Sequence, residues 1–237
     1  MVMDAELRPN EGKNEIIEVD GKRYLRLPIR TRLVVDGDDI VEVAAEYGLP
    51  VLKEEGDILF ISEKCVACTQ KRAIPMKDIK PRPLAVKLSA HVTKTPCGIG
   101  LGIPETMEYA LRESGTWRIL LAAVVSVIGK KIFKKSGWFY VVAGDKARSI
   151  DGPCDNTIPP YNEYVVLGPK NPDKVARDIA RRIGHRCAIV DINDLGGRIL
   201  GISHKDMDRE YIARILRDNP LGQCKEQTPM GVIREVK

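Results

Sequence analysis

The chain reads as an α+β protein built on an irregular mixed sheet with flanking helices. Two short apolar runs, Ile58-Leu-Phe-Ile61 and Cys187-Ala-Ile-Val190, have the length and composition of buried strands. Asn171-Pro-Asp-Lys-Val-Ala-Arg-Asp-Ile-Ala-Arg-Arg-Ile-Gly184 combines an Asn cap, Pro at the first helical position, apolar residues at 175, 176, 179, 180 and 183, and a closing glycine, which together specify a helix. Helices and strands alternate along the chain, yet no glycine-rich βαβ loop is present, so a doubly wound nucleotide fold does not fit.

The elements follow in order. Residues 1–24 are polar and form an extension ahead of a domain over 25–237; Ile16–Val19 and Tyr24–Leu27 flank the Asp20-Gly21 turn as a hairpin. Asp38 or Asp39 caps a short helix carrying Ile40, Val43 and Ala44. The turn Glu54-Glu-Gly-Asp57 leads into the strand Ile58–Ile61, which runs straight into Ser62-Glu-Lys64. From Arg72 to Pro104 proline and glycine dominate, so loops are expected around one short helix near Ala85–Ala90. The glycines of Cys97-Gly-Ile-Gly-Leu-Gly102 lack the Lys-Ser/Thr of a phosphate loop and the dinucleotide spacing, and are read as a flexible loop. Pro104–Ser114 is a helix stopped by Gly115. Trp117–Phe133 is a second, mostly buried helix, with Lys130, Lys131, Lys134 and Lys135 matching the negative pole of its dipole. Gly137-Trp-Phe-Tyr-Val-Val142 has the β-branched and aromatic content of a strand. Asp206–Asp218 is a further helix, Pro220–Pro229 breaks the pattern, and Met230–Arg234 is a closing strand.

Bulk properties narrow the partners. A net charge of +5, spread along the chain, suits anionic small ligands. The three Phe and two Trp do not interleave with basic runs as a stacking platform would, so no nucleic-acid partner is expected. The start of the chain shows no basic segment, apolar core or cleavage site, and the longest apolar run, Ile119–Ile128, is too short to span a bilayer. A cytoplasmic protein without a membrane partner is expected. The six cysteines therefore read as reduced thiols. Cys65 and Cys68 form a single C-x-x-C without a second pair or a nearby histidine pair, which argues against structural zinc. On a strand their sulfurs would face opposite sides, and packing explains at least one of them.

The densest chemistry lies in Cys187-Ala-Ile-Val-Asp-Ile-Asn-Asp-Leu-Gly-Gly197, where an apolar run ends in Asp191, Asn193 and Asp194. Oxygen ligands crowded at a strand end suit a hard cation such as Mg2+ or Mn2+, which most often serves phosphate chemistry. In order, Leu27-Pro-Ile29, Ile58-Leu-Phe-Ile-Ser-Glu-Lys64, Val142-Ala-Gly144 with the acids after it, Ile189-Val-Asp191, and Gly222-Gln-Cys-Lys-Glu-Gln-Thr-Pro229 resemble the ligases that add gamma-linked glutamate to the deazaflavin coenzyme F-420. The resemblance runs from about residue 25 to the end and is most specific in the tail.

The resemblance implies a GTP-dependent amide ligase with two Mg2+ or Mn2+ ions, K+ as a further candidate, small-molecule substrates comprising glutamate and an acceptor, and an intertwined homodimer. By position, Lys64 resembles the family lysine that meets the nucleotide phosphates, Leu27 and Pro28 lie at the first nucleotide segment, and Gly222, Gln223 and Glu226 at the last nucleotide and metal segment. Asp191 is similar to a metal ligand. The loop Ala143-Gly-Asp-Lys-Ala-Arg-Ser-Ile-Asp-Gly-Pro-Cys-Asp-Asn156 is longer than the family's, so its metal acid falls to Asp145, Asp151 or Asp155, with Asp151 preferred. Asn193 and Asp194 either complete the metal shell or orient the amine. After Lys64 the family's acid and glycine are missing, and Asp191-Ile-Asn-Asp-Leu-Gly-Gly-Arg198 lacks the aromatic and basic residues suited to a large anionic acceptor. Metal and nucleotide handling therefore look retained and the acceptor changed. The competing reading is a nucleotide- or metal-binding regulatory protein without ligase activity. His91, His185 and His204 have no paired acid at a telling spacing and receive no role.

Overall fold

The computed structural model describes residues 7–92, 100–132, 137–194 and 196–236, with the side chains of 130–132 outside the description. Two compact units divide the chain, one of Met1–Lys71 with Pro169–Lys237 and one of Arg72–Gly168.

The first unit is a six-stranded mixed sheet. β1 (Ile16–Val19) and β2 (Lys22–Ile29) form the antiparallel hairpin expected around Asp20-Gly21, whose residues both hold positive φ, as a tight right-twisted turn requires. The strand β1 thus lies at the sheet edge although its residues fall within the polar stretch read as an extension. β3 (Ile58–Ser62) runs parallel to β6 (Arg186–Asn193), and β8 (Met230–Val236) sits between β2 and β3, antiparallel to both. β7 (Gly196–Ile202) returns along β6 and forms the other edge. This strand was not among the expected elements; it opens at Gly196 and Gly197, and at Gly197 a side chain would collide with Ile192 and the Asp191 carbonyl.

Helices cover both sheet faces, which is why the central strands are continuously apolar. Leu59, Ile61, Cys187, Ile189, Met230 and Val232 point to the face packed by α1 (Ile40–Gly48), α2 (Glu63–Thr69) and α8 (Pro172–Ile183). Phe60, Ala188, Val190 and Ile233 point to the face covered by α9 (Arg209–Ile215). Each fully buried Leu, Ile or Phe contributes about 1.5–3 kcal/mol. Gly231 pairs with Phe60, and a side chain there would meet the phenyl ring and the Leu27 carbonyl, so close strand packing requires the glycine. Asp39, one of the two expected caps, accepts from the Val41 amide. Asn171 occupies its expected position before α8 but makes no side-chain cap; it sits in the left-handed region instead, redirecting the chain into the helix. Two ion pairs, each with one buried member, lock the sheet: buried Arg26 with Asp218, and Arg234 with buried Asp57, whose carboxylate also accepts from the Lys53 and Glu54 amides at 2.9 and 3.1 Å.

The second unit pairs β4 (Ala73–Pro75) with β5 (Tyr164–Val166) beside five helices, α3 (Pro83–Ser89), α4 (Pro104–Ser114), α5 (Thr116–Ile132), α6 (Trp138–Ala143) and α7 (Asp145–Arg148). Its core gathers Ile79, Ala85, Leu101, Met107, Leu111, Ile119 and Val165. Glu108, buried at 1% exposure, is held by Arg82 at 3.0 Å and Arg112 at 2.7 Å.

Two expectations here need correction. Gly137–Val142 is not a strand: residues 138–143 form α6, bounded by Gly137 and Gly144 at positive φ. A six-residue apolar run satisfies either period, and packing against α5 decided it, with Trp138 lying over Gly129. Helix α5 is present but not mostly buried, since Leu121, Val124, Val127 and Ile128 are exposed. Phe133, Lys134, Lys135 and Cys97–Ile99 lie outside the described residues. No described helix is long and apolar enough to cross a membrane.

Candidate functional site

The first unit brings two of the anticipated segments together through the β6–β7 turn. The amide of Asp194 donates to Gln223 Oε1 at 3.2 Å, joining the acidic strand end to the turn after α9. Asn219 lies between them, only 1% exposed, and its Nδ2 donates to Gly222 O at 2.7 Å, Gln223 Oε1 at 3.2 Å and Asp194 Oδ1 at 3.4 Å. Its Oδ1 is buried without a hydrogen-bond partner. Lys13 completes the group: its ammonium donates to Asp194 Oδ1 at 2.6 Å and to the Asp218 carbonyl at 2.9 Å. An ammonium so placed neutralises the carboxylate by a charge-assisted bond.

Glu226 sits at the far side of the same turn. Gly222 has φ +82, and a side chain there would lie 2.7 Å from Glu226 Oε1, so the glycine both makes the bend and admits the carboxylate. Glu226 Oε2 accepts from the Cys224 amide at 2.8 Å. With Pro28, Arg30, Thr228 and the N-terminal residues Arg8 and Asn10, it lines a cleft of about 390 Å3. Pro28 is therefore a wall of this cleft, while Leu27, next to it on the pleat, turns its side chain into the core.

The other anticipated residues have different bonding partners. Asp191 faces Arg198 across the hairpin and accepts from its Nη2 at 3.3 Å. Asn193 is exposed at the end of β6, opposite Gly196. Lys64 is not at a strand end but on the first turn of α2, half exposed, with its ammonium 3.7 Å from Glu63. Asp151 belongs to the second unit, where its amide and carbonyl exchange 2.9 Å bonds with Val166. In that unit Asp145 lines a cavity of about 600 Å3 with Arg118, Tyr140, Lys146 and Arg148. Burial raises the Tyr140 phenol pKa, and the charge of Asp151 adds to the shift. Asp155 is exposed.

The donor chemistry suits a hard cation. Asp191, Gln223, Glu226 and the orphaned Asn219 Oδ1 are all oxygen donors, as Mg2+ or Mn2+ prefers. Among the described residues, however, no three His, Cys, Asp or Glu side chains converge as a ready-made metal group. Asp191 and Asp194 are each held by a cationic side chain instead. Cys65 and Cys68 lie on helix α2 rather than a strand, so both are buried, and burial pushes the Cys65 thiol pKa up.

Lys13, Asn219, Arg8, Arg30 and Arg198 escaped sequence reasoning. Only Asn219 carried a signal, as the Asn of an Asn-Pro turn; the rest are ordinary surface cations until the fold aligns them. Residues 28–204 match the family described as F420-0:Gamma-glutamyl ligase. The chain is also 29% identical over 238 aligned residues, covering 87% of this chain and 84% of the relative, to Coenzyme F420:L-glutamate ligase of Methanopyrus kandleri.

Proposed function

Because the chain belongs to the F420-0:gamma-glutamyl ligase family, we propose that it is an amide-forming ligase joining glutamate to a coenzyme F-420-like or related acceptor, with GTP as the energy source. A carboxylate does not condense with an amine in water unless it is activated. In the proposed reaction a carboxylate oxygen attacks the terminal phosphorus of GTP and GDP leaves. The glutamate amine then attacks the acyl carbon, inorganic phosphate departs, and the amine loses its proton. Positioning and electrostatics dominate such chemistry.

The observation carrying this reading is the meeting of Asp194 with the Gly222–Glu226 turn, beside a cleft walled by Pro28 and Glu226. Asp194 already grips the ammonium of Lys13, which is the chemistry needed to hold the amine of glutamate. Arg8 and Arg30, which line the cleft with Glu11 and Glu226, are proposed as cationic contacts for a phosphate-bearing substrate. Lys64 is proposed as a further phosphate contact. The oxygens of Asp191, Gln223, Glu226 and Asn219 would hold Mg2+ or Mn2+, which when bound neutralises phosphate charge. Asp151 is proposed as a metal ligand and K+ as a further ion on the family resemblance, as is the homodimer.

The test is direct: GTP, Mn2+ or Mg2+, glutamate and a panel of acceptors are incubated with the protein, and GDP is measured. Release that depends on both glutamate and acceptor supports the ligase. A second reading, nucleotide or metal binding without catalysis, is favoured by the pairing of Asp191 and Asp194 to Arg198 and Lys13. GTP binding without acceptor-dependent GDP would establish that reading instead. Light scattering that gives a single-chain mass would overturn the dimer.

A further inference from the structure

The α5–α6 helical hairpin exposes an apolar face where a water-soluble unit should bury one. Trp117, Leu121, Val124 and Ile128 follow the i, i+4, i+7, i+11 spacing of one helical stripe, and Val127 widens it. The opposite side of α5 is spent on the unit's own core through Ile119 and Ala122. On α6, Trp138 and Val141 extend the exposed surface, with Trp138 seated over Gly129 of α5. Trp117 is 85% exposed and Val141 74%. Contiguous exposed apolar surface of this kind marks an interaction site.

Charge and aromatic content identify what it meets. Across Thr116–Gly144 the sequence holds Arg118, Lys130, Lys131, Lys134 and Lys135 and no Asp or Glu. The chain's two tryptophans both fall there, and tryptophan favours the boundary between headgroups and acyl chains. A second copy is a poor occupant, because two-fold packing would set one strongly cationic segment against itself. Bordering the face, Arg118, Tyr140, Val141, Lys146 and Arg148 line the 600 Å3 cavity, together with Glu113 and Asp145. Glu113 is occupied by Arg72 at 2.7 Å. The Arg118 guanidinium is braced by its 2.7 Å bond to the Val142 carbonyl and by close approach to Gly144.

We propose that the α5–α6 face docks in the plane of an anionic membrane surface, with the basic cavity beside it receiving a lipid phosphate. The run too short to cross a bilayer is long enough to lie on one: 17 residues of helix extend about 25 Å. The proposal is independent of the ligase reading and needs no activity for its test.

The full chain is mixed with vesicles of phosphatidylcholine, or of phosphatidylcholine with phosphatidylglycerol, and followed by co-sedimentation and tryptophan emission. Both tryptophans lie on the face, so emission reports docking directly. The expected result is a blue shift and at least about tenfold stronger partition to the anionic vesicles, reduced by added salt. Leu121→Asp with Val124→Asp should abolish both signals, and Lys146→Glu with Arg148→Glu, which line the cavity, should remove the anionic preference, each with an unchanged far-ultraviolet circular dichroism spectrum. Absence of partition, or equal partition to both vesicles, overturns the proposal. So does a blue shift that grows with protein concentration alone and tracks a dimer mass. Binding of soluble glycerol phosphate without vesicle binding overturns it as well.

Discussion

Asp57 shows how much one carboxylate can hold. Burial opposes its charge, but the Arg234 guanidinium and the amides of Lys53 and Glu54 outweigh that cost and keep its pKa below the usual carboxylate range. Replacing it, Asp57→Asn, leaves the partly buried Arg234 without its counter-ion, and urea titration should show a loss of about 3 kcal/mol. At the candidate site the decisive residue is Asp194. If it holds the glutamate amine as it holds Lys13, Asp194→Asn removes a charge-assisted bond and should raise the KM for glutamate by about tenfold or more. Steady-state kinetics with the acceptor saturating measure this, and an unchanged KM would count against the assignment. Asp191 and Asp194 stood out in the sequence because acids cluster there, whereas nothing in a lone Lys13 indicated that it would reach across to Asp194.

Among the elements, those with complete end signals were legible. Helix α4 occupies the stretch between Pro104 and Gly115, and β3, β6 and β8 appear where apolar runs stand between turn residues. Short segments without a dominant period were not, as α6 and β7 show, because packing against α5 and pairing with β6 selected their conformations. Helix α2 carries a testable consequence. Its 3.6-residue period lets the core side take both Cys65 and Cys68, while Cys154 and Cys224 are exposed. A thiol reagent on the native protein should modify Cys154 and Cys224 rapidly and leave Cys65, Cys68 and Cys187 unmodified until denaturation, as read by peptide mass spectrometry.

At the scale of the molecule, each unit contains a buried carboxylate held as an anion, Asp57 in the first and Glu108 in the second. Burial disfavours the charge of Glu108 too, but the Arg82 amide and the Arg82 and Arg112 side chains hold its pKa below the ordinary value. A carboxyl whose pKa is lower folded than unfolded contributes its full stability above the unfolded pKa. That contribution is lost as pH falls through the folded pKa. Thermal stability should therefore be level from neutral pH down to about pH 4 and decline below it. Melting curves across that range check this, and a maximum near pH 3 would contradict it.

By itself the sequence determined the mixed α+β character, the central strands, the capped helices and the order of family segments, since these depend on local spacing and end chemistry. Only tertiary structure decided the division into two units, that Lys13 and Arg198 neutralise the acids of the β6–β7 hairpin, and that helix α5 shows apolar residues to solvent. Periodicity reports that a helix has an apolar side. Which surface covers that side, and which distant charge meets a given carboxylate, depends on contacts between residues far apart in the chain, for which local patterns carry no signal.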